Sequence, residues 1–224
     1  MTKKRAAGNK PRKPLSRDRV LRAAIALADA MGMSSLSMRN LARELGVEAM
    51  SLYNHVANKS DLLDSMVDLV IGEIEAPSLN VDWKDAMRGR ATSAHEVLQR
   101  HAWATQLIVS RVNVGPASLH YVEATLGCLR HAGFSFALAD RAWNAIDSHI
   151  YGFTLQKLNF PFEVDEYADV AGAYLPHLSS EEYPHLRALT QLVSERKHTG
   201  LQDFTFGLEL LLDGLERLRD GARA

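Results

Sequence analysis

The stretch SMRNLARELGVEAMSLYNHV, residues 37–56, decides the fold. Ser37 carries a side-chain oxygen suited to capping a helix, and Leu41, Ala42 and Leu45 recur at helical spacing, which gives that helix one apolar face. Gly46 then predicts a tight turn, because positive φ is cheap only without a Cβ. A second, short helix is expected over roughly residues 48–55, anchored by Val47, Leu52 and Val56. Two helices joined this closely make a helix-turn-helix, and such a unit lays its second helix in a DNA major groove. With Leu52 and Val56 assigned to the core, Ala49, Met50, Ser51, Tyr53, Asn54 and His55 are left to meet bases or phosphates.

Outward from this unit the 3.6-residue apolar period persists, and no stretch alternates long enough for a convincing strand. The expected fold class is all-α: an N-terminal three-helix helix-turn-helix domain followed by a helical ligand-binding and dimerisation domain. Helix one is predicted over 16–31, with Val20, Leu21, Ala24, Ile25, Leu27, Ala28 and Met31 inward and Gly32 ending it. Ser60 is a plausible N-cap for a long helix with Leu62, Leu63, Met66, Val67, Val70 and Ile71 on its apolar side, joining head to body. The stretch 76–80 breaks it, and further helices are expected near 82–101, 103–110, 116–132, 136–158, 165–174, 180–196 and 201–219. The expected domains are a basic flexible arm at 1–14, the helix-turn-helix at 15–62 and the body at 63–224.

The overall charge of −1 conceals a division. Residues 1–60 hold 12 Lys/Arg against 4 Asp/Glu, a balance of +8, and the remainder holds 14 against 23, a balance of −9. A basic head on an acidic body is the footprint of a protein that meets a polyanion with one end. The single Cys128 excludes an intrachain disulfide and reads as a buried packing residue. No apolar stretch is long enough to span a membrane, and the basic N-terminus lacks the apolar core of a secretory signal. A cytoplasmic location and no membrane partner are therefore expected.

The strings LARELGV (41–47), SLYNHV (51–56) and NKSDLL (58–63), in that order, resemble the tetracycline repressor (TetR) family. The likeness continues through Trp83-Lys-Asp, Gly133-Phe-Ser135, Gly152-Phe-Thr-Leu-Gln156, Phe206-Gly-Leu-Glu-Leu210 and Gly214-Leu-Glu-Arg217, so it covers the chain from about Leu15 to Leu218. The resemblance implies that Arg39, Ala49, Met50 and Ser51 face bases, while Tyr53, His55 and Lys59 hold phosphates, the contacts that fix register rather than sequence. Ala49 and Met50 offer only methyl or shape contacts, whereas Arg39 can grip guanine with two hydrogen bonds. Tyr53 could instead pack on helix one with its hydroxyl wet, and Lys59 could be a solvated cation. The arm with Lys3, Lys4, Arg5, Lys10, Arg12 and Lys13 would add salt-dependent affinity or enter a minor groove.

The helices near 136–158 and 201–219 carry more apolar surface than a thin body needs: Ala137, Leu138, Trp143, Ile146, Ile150, Phe153 and Leu155 on the first, Leu201, Phe204, Phe206, Leu208, Leu210, Leu211 and Leu215 on the second. Paired with their two-fold copies they would make a four-helix bundle, and the homodimer would present two heads to a palindromic double-stranded operator. Core helices of a monomer are the alternative. A sensor pocket is expected between the connecting helix and the body, with Ile108, Arg111, Thr125, Trp143, Asp147 and Gln156 as candidates. Family members that bind drug chelated to magnesium place a His in the stretch corresponding to 105–111 and an acid near position 156. Here those places hold TQLIVSR and Gln156, so the expected effector is another small hydrophobic or aromatic molecule, with no metal or cofactor.

Enzyme chemistry finds no support. No HExxH is present, and Glu181 with His185 lacks a third ligand. Asp147, Ser148 and His149 are consecutive on a helix and point about 100° apart, so they cannot form a relay. The glycines are isolated and make no phosphate loop. The reading is a ligand-responsive repressor, released from DNA by its effector; the alternatives are an activator or architectural DNA-binding protein of the same fold, and a helical protein-interaction module.

Overall fold

Eleven α-helices and two 3-10 turns, with no strand, make up residues 14–199 and 203–221, the part of the chain that the computed structural model describes. Residues 1–13 of the basic arm, with all its Lys and Arg, and Leu201 lie outside these residues. Helix α1 (Arg17–Met31) is capped by Ser16, whose side chain accepts from the Arg19 N–H, and ends at Gly32. Helix α2 (Met38–Leu45) is capped by Ser37 and stops at Gly46, which sits in the left-handed region at φ 65° and ψ 38°. Helix α3 (Ala49–Leu52) is a single turn, shorter than the 48–55 expected, because Tyr53 to His55 leave the helix in a turn that sends the His55 and Val56 amides back to the Leu52 carbonyl. Leu41, Leu52, Val56 and Val20 are buried together, and each buried aliphatic side chain contributes about 1.5–3 kcal/mol.

Helix α4 (Lys59–Ile71) begins two residues earlier than a cap at Ser60 would allow. Its cap is Asn58, whose side-chain Oδ1 accepts from the Asp61 N–H at 3.0 Å, while Ser60 lies inside the first turn. Leu62, Met66, Val67 and Val70 are buried along its length, against α1 in the head and against α6 and α7 in the body.

The body consists of α5 (Trp83–Arg100), α6 (Ala104–Ser110), α7 (Pro116–His131), α8 (Phe136–Leu158), α9 (Val164–Tyr174), α10 (Pro184–Ser194) and α11 (Phe204–Gly221). Helix α5 packs on α7 and α8, and α11 lies against α8, so the core of Met87, Leu98, Leu129, Ile146, Ile150 and Leu212 is shared among them. Trp83 meets Phe134 edge-on at 4.9 Å with the Arg219 guanidinium over both rings. Helix α10 starts at Pro184 rather than near 180, because the Ser179 side chain holds the Glu181 and Glu182 amides in a turn first. Cys128 is buried. Among the described residues no helix is long and apolar enough to cross a membrane, and no group of His, Cys, Asp and Glu could hold a metal.

Candidate nucleic-acid interface and effector site

The head presents its variable side chains outward because its apolar ones are spent inward. Leu52 and Val56, one turn apart, are 0% and 1% exposed, so the other faces of α3 and the turn after it look to solvent. Met50 is 74% and Tyr53 43% exposed, Arg39, Asn54 and Lys59 are exposed, and Ala49, Ser51 and His55 are half-buried. Among the described residues no hydrogen bond occupies the side chains of Arg39, Tyr53, Asn54 or Lys59. Donors held in the open on a rigid hairpin are what a nucleic-acid surface needs, since phosphate and base contacts are made by groups with unspent hydrogen bonds.

That hairpin is fixed by a residue outside it. Arg17 donates to the His55 carbonyl, to both Asp61 oxygens (2.8 and 3.3 Å) and to Ser65 Oγ at 2.6 Å. Asp61 also accepts from the Ala57 N–H at 2.7 Å, and the Arg17 guanidinium holds its carboxyl below the usual carboxylate range. The start of α1, the end of the turn and the start of α4 are thereby one unit.

Three struts join this unit to the body. Arg111, at the end of α6, donates to Asp64 at 2.6 Å and to Ser60 on α4. Asp68 of α4 accepts from the Ser118 N–H and hydroxyl, each at 2.8 Å, and so caps α7 from another helix. Asp29 of α1 accepts from Trp103 Nε1 at 2.6 Å and meets His101 Nδ1 at 2.9 Å, while His101 Nε2 faces Glu73 at 3.3 Å. A cavity of about 780 Å³ opens between the head and the body beside this last strut, lined by Met33, Trp103, Leu107 and Leu158 among others.

The six candidate pocket residues do not come together in one place. Trp143 and Asp147 meet inside the body, with Trp143 Nε1 donating to Asp147 Oδ2 at 2.7 Å. Thr125 and Ile108 are buried, the hydroxyl of Thr125 donating to the Tyr121 carbonyl at 2.8 Å. Arg111 is held in the strut to α4, and Gln156 is exposed near the end of α8. A residue outside the expected set stands at the centre of the Asp147 group: Arg90, 1% exposed, ion-paired with Asp147 and stacked 4.7 Å from the Tyr121 ring centroid. Its signal was in the sequence, since Trp83, Met87, Arg90, Ala94 and Val97 follow one helical stripe on which a cation is out of place.

Residues 20–66 match the profile of bacterial regulatory proteins of the tetR family, and residues 76–219 match that of the tetracyclin repressor-like C-terminal domain. The chain is similar to the HTH-type transcriptional repressor DrrR1 of Streptomyces coeruleorubidus, at 33% identity over 93% of this chain and 80% of that one. It is similar to the class C tetracycline repressor protein of Escherichia coli, at 30% identity over 92% of both chains. Among solved structures it resembles the Streptomyces coelicolor TetR family protein ActR in complex with actinorhodin, with a TM-score of 0.78, 30% identity, and 92% of this chain and 99% of that chain covered.

Proposed function

The chain belongs to the TetR family of transcriptional regulators, which are non-enzymatic DNA-binding proteins, and from that premise we propose that it is a cytoplasmic homodimeric repressor released from its operator by a small molecule. The observation that carries the proposal is the course of α4. It starts at a cap fixed to the reader hairpin, is gripped by α6 and α7 through Asp64 and Asp68, and has no break between. A body that changes shape therefore moves the head.

Arg39, Ala49, Met50 and Ser51 are assigned to base edges and Tyr53, Asn54, His55 and Lys59 to the backbone, with the exposure of Met50 and the exposed, unspent donors of Arg39, Tyr53, Asn54 and Lys59 in support. The dimer is supported by α11, which leaves Phe206, Leu210 and Leu218 60–66% exposed along one amphipathic helix. Two heads carried by a two-fold axis would reach successive major grooves about 34–36 Å apart. The effector reading draws on ActR, whose structure holds actinorhodin, and on the half-buried rings of Trp143 and Tyr151 in the body. Effector binds better to the state in which the heads are spread away from the grooves, and operator affinity falls by the coupling free energy.

Sedimentation of the protein alone and with a duplex from its own upstream region tests the assembly. A dimer in both, two protomers per duplex, is expected; a monomer that binds the duplex singly overturns the homodimer.

A further inference from the structure

We propose that the body takes its ligand through Arg90, and that the ligand is an aromatic molecule bringing oxygen acceptors, carbonyl or carboxylate, to this guanidinium. The proposal rests on the effector reading above and supplies its chemistry.

Arg90 lies on α5 with its side chain 0% exposed. Nη2 donates to Asp147 Oδ1, whereas Nε and Nη1 are buried with no hydrogen-bond partner. Asp147 is already well served: its other oxygen accepts from Trp143 Nε1 at 2.7 Å and from the Tyr151 hydroxyl at 3.2 Å. The imbalance has one sign. Both orphaned atoms of the group are guanidinium donors, and the carboxylate beside them is already engaged through both oxygens.

A guanidinium has five N–H donors and no acceptor, and protein interiors leave few such groups unpaired because each costs about 1–3 kcal/mol. What completes Arg90 must therefore bring oxygen. Because Arg90 and Asp147 cancel in charge, a neutral carbonyl suffices and a carboxylate binds through a stronger, charge-assisted bond. A ligand ammonium has nothing to offer donors that are themselves cationic. The Tyr121 ring of α7 lies against the guanidinium, and Trp143 and Tyr151 of α8 hold Asp147 from rings that are only half-buried, so a flat ligand ring that parts those two rings would find aromatic faces to pack on beside the group.

The test is calorimetric titration of the full-length protein with three probes on one ring system: naphthoate, acetonaphthone and naphthylmethylammonium. The carboxylate and ketone arms separate the two sources of oxygen. The comparison protein is Arg90→Met/Asp147→Leu, in which an apolar pair of similar volume replaces the ion pair and the thermal midpoint holds or rises. Binding of naphthoate or acetonaphthone to the wild type, at least about ten-fold weaker in the double variant, with no binding of the ammonium probe, is the expected result. Should the double variant unfold, Arg90→Lys serves instead, with the same loss expected because the ammonium cannot reproduce the two donor directions. Equal affinity in wild type and variant, binding of the ammonium probe as tight as the others, or no oxygen probe bound below millimolar concentration each overturns the proposal. An enclosed water serving Nε and Nη1 would give the first of these. Operator binding is measured on the same samples: its persistence keeps the regulator reading when the Arg90 proposal falls, and its absence overturns that reading while leaving the calorimetry to judge Arg90.

Discussion

Arg17 is a half-exposed cation whose three partners lie on the turn and on α4, so its loss acts on the geometry of the reader rather than on a core. Arg17→Ala is expected to lower stability by only about 1 kcal/mol in urea unfolding, since solvent screens the pair, yet to weaken operator binding with Arg39 and Tyr53 intact. His95 shows the opposite balance. Its Nδ1 lies 2.7 Å from Thr154 Oγ1, whose own hydrogen goes to the Ile150 carbonyl, so Nδ1 is the donor. Burial depresses its pKa to about 4, with the ring stacked on Phe204 at 4.5 Å. The unfolded chain then takes up a proton before the folded one does, and stability is full above about pH 6.5 and is lost as the pH falls from there toward 4, by up to roughly 3 kcal/mol. Urea titrations at both ends of that window should show the loss, and His95→Phe, which keeps a ring and cannot titrate, should flatten it. At this scale the sequence disclosed the outward set of the head, because Leu52 and Val56 are plainly apolar. It hid Arg17 and Thr154, whose partners lie 38 and more residues away.

Helix α7 begins where α4 caps it, and Gly115 is there because Asp68 leaves no room for a side chain. A Cβ at position 115 would run into the Asp68 carboxylate, although the backbone at φ −68° is ordinary. Gly115→Ala should therefore displace Asp68, free the first turn of α7 and lower the thermal midpoint, by an amount like that of a lost cap, about 1–2 kcal/mol. Gly127, within the same helix, has nothing within 4 Å of a built Cβ, so Gly127→Ala should raise stability by about 0.5–1 kcal/mol. Thermal melts of the two variants side by side make the contrast. Helix existence was legible throughout, because each stripe repeats at 3.6 residues. Cap identity was less so: Asn58 and Ser60 are both good caps two residues apart, and what selects Asn58 is Asp61, which must reach Arg17. The single turn of α3 was overestimated for a related reason, since Val56 continues the apolar spacing after the backbone has left the helix.

For the whole molecule, the division of charge, +8 before Ser60 and −9 after it, directs the head alone to a polyanion. The fold class and the family were readable because helical periodicity and the reader strings run through most of the chain. The Arg90 group was legible only in Asp147 and Trp143, because Arg90, Tyr121 and Asp147 come from three helices and share no local pattern. Linkage makes one demand on the account: a ligand that lowers operator affinity must have its own affinity lowered by operator by the same factor, and equal ligand affinity with and without the duplex would sink the release mechanism. The central claim, that the head of α2 and α3 reads DNA, is tested most directly by fluorescence anisotropy on a duplex from the protein's upstream region at two salt concentrations, beside Arg39→Ala/Tyr53→Ala. Tight binding by the wild type that weakens steeply with salt and disappears in the double variant is the predicted result; equal binding by the two proteins, or none by either, would contradict it.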